Sequence, residues 1–301
     1  MGCDTSVGPA DVSHPPLSGV RPGRTGSHAA ASRRYRRAMT TDRLLVEREG
    51  GIVTVTLNRP HRKNAVPPDM WDELADTFRT IASTRDDRVV VITGASGDFC
   101  SGADLADNDA EADESIDTHM LSVMRRVGAA CLAIAELPKP TIAKVSGVAV
   151  GAGLNMALAC DLVVADRTAR FAEIFAKRGL SIDFGGSWFL PRRIGLHRAK
   201  ELALFADLID AAEADRLGLV NRVVESDELD EFVAAWAQRL AAGPPIALAQ
   251  TKRLLDESFE TTLAQALERE GSAQTVNSAT SDTKEAIAAF VERREPSFRG
   301  R

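Results

Sequence analysis

Apolar and polar positions alternate along LLVEREG (44–50) and again along GIVTVTLN (51–58). The two runs meet at a Gly-Gly pair, which predicts a β-hairpin. The spacing then becomes helical: in MWDELADTFRTIA (70–82), Trp71, Leu74, Phe78 and Ile81 share one face. RVVVITG (88–94) is a continuous apolar run closed by glycine, the pattern of a parallel strand buried on both faces. MLSVMRRVGAACLAIAEL (120–137) reads as a helix stopped before Pro138 and Pro140. TIAKVSG (141–147) and DLVVAD (161–166) read as buried strands, with the short helix GAGLNMALAC (151–160) between them. Strands alternating with helices predict a layered α/β architecture. Beyond residue 195 the pattern is almost wholly helical, broken at GPP (243–245). The segments 263–278 and 281–295 read as amphipathic helices that pack on a neighbouring subunit or on their own core.

These shifts divide the chain into an extension (1–40), an α/β core (41–242) and a C-terminal helical region (243–301). The extension is rich in Gly, Pro, Ser and Arg and lacks apolar periodicity, so it cannot build a core. MGCDTS fits an N-myristoylation pattern and the Arg- and Ser-rich character faintly resembles a transit peptide, but a disordered extension is the preferred reading. Met39, directly before the first structured segment, marks an alternative start. The stretch DLADNDAEADESIDT (104–118) is acidic with no basic residue, and reads as a solvated loop or a lid over a site.

Composition narrows the function. A net charge of −6 over 301 residues argues against an extended nucleic-acid surface, while leaving room for a local basic patch that holds a phosphorylated ligand. No apolar run approaches the ~18–20 residues of a membrane span, and a cytoplasmic enzyme is expected. Cys3, Cys100, Cys131 and Cys160 form no CxxC pair and the five histidines are scattered, so no metal site and no separate cofactor are expected.

Two glycine-bearing turns follow strands, FCSGADL (99–105) and VSGVAVGAGLNMALACD (145–161). Such turns expose N–H groups with no intrahelical partner, and two side by side can stabilise an oxyanion; alternatively the glycines only permit tight packing. A third stretch, GLSIDFGG (179–186), places Asp183 as the lone charge between Arg178 and Arg192. Asp183 reads either as a helix N-cap, with Ser187 as the competing cap, or as a general base.

The motifs EGGIVTVTLNRP (49–60), KNA (63–65), DFCSGADL (98–105), KPTIAKVSGVAVGAGLNMALACD (139–161), FAEIFAKRGLSIDFGGSWFLPRRIG (171–195), AAEADRLGLVNRVV (211–224) and EAIAAFVERREPSF (285–298) occur in order. Together they resemble the crotonase, or enoyl-CoA hydratase/isomerase, superfamily over residues 42–299. The resemblance implies an α/β spiral of ββα units, a C-terminal helical region that trimerises, commonly a hexamer, and an acyl-CoA thioester substrate. It implies oxyanion donors at the amides of Ala103 and Ala152. It also implies a CoA entrance lined by Arg59, Arg62, Lys63, Ala65, Asp104 and Leu105, with Lys252 and Phe290 near the CoA of an adjacent subunit.

The catalytic positions depart from the hydratase pattern. Where hydratases carry two glutamates, this chain has Asn155 and Phe175, neither of which exchanges protons at neutral pH. Glu173 lies close by, but two residues on a helical turn rotate a side chain by about 200°, and it reads as a surface or pairing residue, with substitution for the missing glutamate as the lesser alternative. Branches of the superfamily that place an aspartate at the Asp183 position include ring-enlarging and double-bond-shifting isomerases and a dehalogenase. The resemblance therefore implies an isomerase using Asp183, with Asn155 orienting substrate or water. Ile182, Phe184, Phe175 and Trp188 are expected to desolvate the carboxylate. An atypical hydratase and a non-catalytic acyl-CoA binding protein remain as alternatives.

Overall fold

The computed structural model describes residues 42–106 and 119–301. The readings on residues 1–40, and on residues 107–118 of the acidic stretch, lie outside the described residues.

The hairpin forms as predicted, from β1 (Leu44–Glu49) and β2 (Ile52–Leu57). β2 alternates half-buried and buried positions, so one face meets the core. Helix α1 (Met70–Ser83) buries Trp71, Leu74, Phe78 and Ile81 as its spacing requires. Strand β3 (Val89–Gly94) is buried at five consecutive positions, as a parallel strand covered on both faces must be. Helix α2 (Met120–Ala135) packs on α1 and ends two residues short of the predicted limit. Strand β4 (Thr141–Val145) is followed by β5 (Val148–Val150), α3 (Ala152–Leu158), β6 (Leu162–Asp166) and β7 (Arg170–Ala172).

Helices α4 (Gly186–Ile194) and α5 (Leu196–Phe205) come next. The expectation of an almost wholly helical remainder needs correction. Short strands β8 (Ile209–Asp210) and β9 (Arg222–Val224) flank α6 (Ala211–Leu217). Strands of two and three residues are too short to show a period, so alternation cannot reveal them. The chain then runs through α7 (Leu229–Ala241), α8 (Pro245–Asp256), α9 (Leu263–Ser278) and α10 (Ser281–Glu292).

The main sheet has the order β1-β2-β3-β4-β6-β9, parallel except for the β1–β2 hairpin. A second sheet, β5-β7-β8, stands apart from it. Each time the chain leaves β4 or β6 in the main sheet it adds β5 or β7 to the small one, and this repeated step lays consecutive connecting loops side by side. The core between the layers holds Phe78, Phe99, Phe171, Ile92 and Leu154, none of them measurably exposed.

Cys100, Cys131 and Cys160 are free and buried within this core. Loss of hydration pushes the Cys100 and Cys131 thiols up to about 12, with the Asp183 charge adding to the rise at Cys131. Burial raises Cys160 as well. A thiol-reactive dye is therefore expected to label none of the three in the native protein and all three in denaturant; rapid native labelling at any of them would contradict their packing.

Candidate active site

The two glycine turns are joined through the small sheet. Phe99 donates its N–H to Ser146 O (2.9 Å), Cys100 to Val148 O (2.9 Å), and Val150 donates back to Cys100 O (3.0 Å). The first turn is pinned on its other side, where Val66 N–H donates to Gly102 O (2.8 Å) and Asp104 N–H to Val66 O (2.9 Å). Ala103 sits between these bonds. A Cβ placed on Gly102, which has φ +95°, would lie 2.9 Å from Val150 O and 3.5 Å from Ala152 N, so the two turns are in direct contact. Ala152 opens α3 behind Gly151 and is buried. Among the described residues, neither the Ala103 nor the Ala152 amide donates to a protein acceptor. The pair can polarise one carbonyl oxygen.

Behind this pair lies a knot of polar groups in apolar surroundings. Asn155, in the first turn of α3, has no exposed surface. Its Nδ2 donates to the main-chain oxygen of Asp183 (2.9 Å) and to Oε2 of Glu173 (3.3 Å). Phe175 is buried and faces the turn, with a ring carbon 3.6 Å from where a Cβ on Gly151 would sit.

Glu173 overturns the sequence reading. It has no exposed surface, although it was expected on the surface or in an ion pair. The helical-rotation argument fails because Glu173 precedes the 3₁₀ turn Ile174–Arg178, with φ −86° and ψ 71° rather than helical angles. A signal was present in the sequence: FAEIFA is a lone carboxylate among apolar residues, as GLSIDFGG is. Desolvation pushes Glu173 up to about 8, the Asn155 bond opposing and the Asp183 charge adding to the rise.

Asp183 does not cap α4. The N-cap position belongs to Gly185, with no side-chain cap bond, which also removes Ser187 from that role. Asp183 instead opens a tight turn, its carbonyl accepting from Gly186 N–H (2.9 Å), with Phe184 at φ +47° and Gly185 at φ +75°. A phenylalanine with positive φ is strained by about 1–3 kcal/mol. Its buried ring, 5.5 Å from that of Trp71, helps to hold it there. Burial pushes the Asp183 carboxyl up to about 6, and its Oδ1 is buried without a partner. Of the expected desolvating neighbours, Phe184 and Phe175 are buried, whereas Trp188 is partly exposed and stacks under the Arg192 guanidinium at 3.9 Å.

The raised carboxyls cost stability in a defined direction. For Glu173 the folded state binds more protons than the unfolded state between about 4.5 and 8, so stability falls as pH rises through that window. Glu173→Gln is expected to stabilise the protein at pH 7 by up to ~3 kcal/mol, on 1.36 kcal/mol per pH unit, with little gain at pH 4. Urea unfolding at the two pH values checks this; equal effects at both would contradict it.

At the expected CoA entrance, Asp104 is buried and accepts from Arg59 (2.9 Å) and Arg62 (2.8 Å), while Arg59 also donates to Ala65 O (2.5 Å). Arg59 is thus a buried brace that joins 59–66 to the first turn, and Arg62 keeps a partly exposed guanidinium. Lys63 and Leu105 are exposed, and Ala65 is buried. Arg62, then Arg59, holds the Asp104 carboxyl down at about 2. That stabilisation is present above about pH 4 and is lost as pH falls towards 2. Asp104→Ala removes the buried carboxylate that Arg59 and Arg62 share and is expected to cost about 3 kcal/mol at pH 7, the low end for breaking a buried pair. An unchanged urea midpoint would contradict this. Lys252 pairs with Asp161 at 3.0 Å, and Phe290 is exposed. Among the described residues no group of three or more His, Cys, Asp or Glu could hold a metal ion, and no helix is long and apolar enough to cross a membrane.

Residues 47–301 match the sequence profile of the enoyl-CoA hydratase/isomerase family. The chain belongs to that family. It is 35% identical over 253 residues to the 1,2-epoxyphenylacetyl-CoA isomerase of Escherichia coli, covering 84% of this chain and 97% of the relative. It is 37% identical over 252 residues to a "probable enoyl-CoA hydratase" of Rhodobacter capsulatus, covering 83% and 95%. The fold superposes on the crystal structure of an enoyl-CoA hydratase from Mycobacterium smegmatis with a TM-score of 0.78 at 35% identity, covering 85% of this chain and 98% of the other. The protein is therefore an enoyl-CoA hydratase/isomerase family enzyme with the crotonase fold, as the motifs implied. Its site holds a buried Asn155 and Phe175, a buried Glu173 and a half-buried Asp183.

Proposed function

We propose that this enzyme is an acyl-CoA isomerase in which Asp183 is the base. The observation that supports it most is the Asp183 carboxyl itself: desolvated, without a capping role, and held on a strained turn tied to α3 through Asn155. In a 3-enoyl-CoA, Asp183 takes a proton from the carbon α to the thioester. The electron pair moves onto the thioester oxygen, which the Ala103 and Ala152 amides stabilise. Protonated Asp183 returns the proton at the γ carbon, giving the 2-enoyl isomer. One carboxylate suffices, because a single proton leaves and returns. Exposed apolar residues on α9 and α10, among them Leu263, Leu267, Ile287 and Phe290, support a homotrimer or hexamer. Buried free thiols suit a reducing, cytoplasmic setting.

Incubating a 3-enoyl-CoA with the enzyme in heavy water is expected to give the 2-enoyl isomer, carrying deuterium to the extent that Asp183 exchanges its proton before returning it. Hydration is the second reading, favoured by Glu173 as a second carboxyl. It would appear as 3-hydroxyacyl-CoA formed from crotonyl-CoA and lost in Glu173→Gln. Tight CoA-ester binding without turnover of any such substrate would instead identify a binding protein.

A further inference from the structure

Among the described residues, three buried side-chain oxygens in the site have no hydrogen-bond donor: Asn155 Oδ1, Glu173 Oε1 and Asp183 Oδ1. Three orphaned acceptors in one apolar knot are costly, because each loses water without a replacement bond. The orientation of the Asn155 amide is not in question. Asp183 O can only accept, so Nδ2 must face it, and the second Nδ2 proton goes to Glu173 Oε2. A protonated carboxyl is one donor that the cluster itself can supply. A proton on Glu173 Oε1 turns one of these acceptors into a donor, while Oε2 still accepts from Asn155 Nδ2.

We propose that Glu173 works as a neutral carboxylic acid that positions Asn155, and through it the Asp183 turn, and that activity is lost when Glu173 ionises in alkali. The inference rests on Asp183 being the base. Glu173 is wholly enclosed, so it acts through Asn155 and is a positioning residue. Among the described residues, these groups neighbour the pair. From α3 there is Asn155, from the turn before α4 there is Asp183, from α2 the Cys131 thiol near Asp183, and from the 3₁₀ turn the apolar Ile174 and Phe175. Among the described residues, no cation contributes to the ionisation of either carboxyl. The Asp183 charge adds to the rise of Glu173 that burial causes. Once Glu173 ionises, it cannot donate, and it places a second negative charge behind the base.

Two readouts test this. The pH profile of kcat/KM is expected to fall on the alkaline side with a midpoint near 8. In Glu173→Gln, a neutral isostere, that limb is expected to vanish while turnover at pH 7 stays within about tenfold of wild type. A limb unchanged in Glu173→Gln overturns the inference, as does a folded Glu173→Gln that is inactive at every pH. Isotope-edited infrared spectroscopy of the wild-type enzyme labelled at glutamate needs neither activity nor the variant. A protonated carboxyl C=O band present at pH 7 and lost on raising the pH through about 8 supports the inference. No such band at pH 7 overturns it, whatever reaction the enzyme performs, whereas a band with no isomerase activity would fault only the functional reading.

Discussion

Replacing Asp183 with asparagine is expected to lower kcat for 3-enoyl-CoA isomerisation by about 10²–10⁴-fold, the range for removing a positioned general base. KM should change little, because the contacts proposed for CoA and the thioester are made by other residues. The substitution also removes a desolvated carboxylate. Burial pushes the Asp183 carboxyl up to about 6 from its ordinary 3.8, so the native state binds more protons between these values and stability falls as pH rises through them. Asp183→Asn should therefore be at least as stable as wild type at pH 7, which separates lost catalysis from lost folding. If Asp183→Asn kept full turnover, Asp183 would not be the base. If the loss came with a lower urea midpoint at pH 7, its cause would be structural.

The second large effect is expected at Gly153. A Cβ there would lie 2.1 Å from Cys100 O and 2.9 Å from Cys100 Cβ, so Gly153→Ala must drive the two glycine turns apart. Overpacking of this kind costs about 1–3 kcal/mol, and the displaced turn takes one oxyanion donor out of position. Loss of one such donor costs about 10²–10³ in kcat. Stopped assays on the folded variant and a thermal melt measure the two parts. Wild-type turnover in Gly153→Ala would mean that contact between the turns does not set the position of the amides. Asp183→Asn and Gly153→Ala should differ in kind: the first removes the proton acceptor and spares stability, the second costs both.

Much of the fold was legible from periodicity. The β1–β2 alternation, the α1 stripe and the apolar run of β3 each state their burial in residue types alone. The small sheet was not legible, because β5, β7 and β8 have two or three residues each and carry no period. That omission had a consequence for the site. β7 ends at Ala172 and delivers Glu173 into the interior in a non-helical conformation, whereas a helical reading turns it outward. Asp183 was legible as a charge in apolar company, but its capping alternative could be removed only by the αL geometry of Phe184 and Gly185, which residue type does not announce for a phenylalanine. Arg59 shows the opposite failure. Its basic character suggested a phosphate contact, while its burial against Asp104 and the Ala65 carbonyl depends on residues 45 positions apart in one case and six in the other.

The most direct test is a crystal structure of the enzyme with a slowly reacting or saturated acyl-CoA. The expected complex has the thioester oxygen within hydrogen-bond distance of both the Ala103 and Ala152 amides, and an Asp183 carboxylate oxygen about 3–3.5 Å from the α carbon, the separation of a reacting pair. A thioester seated away from the two amides, or an Asp183 carboxylate turned from the acyl chain, would contradict Asp183 as the base.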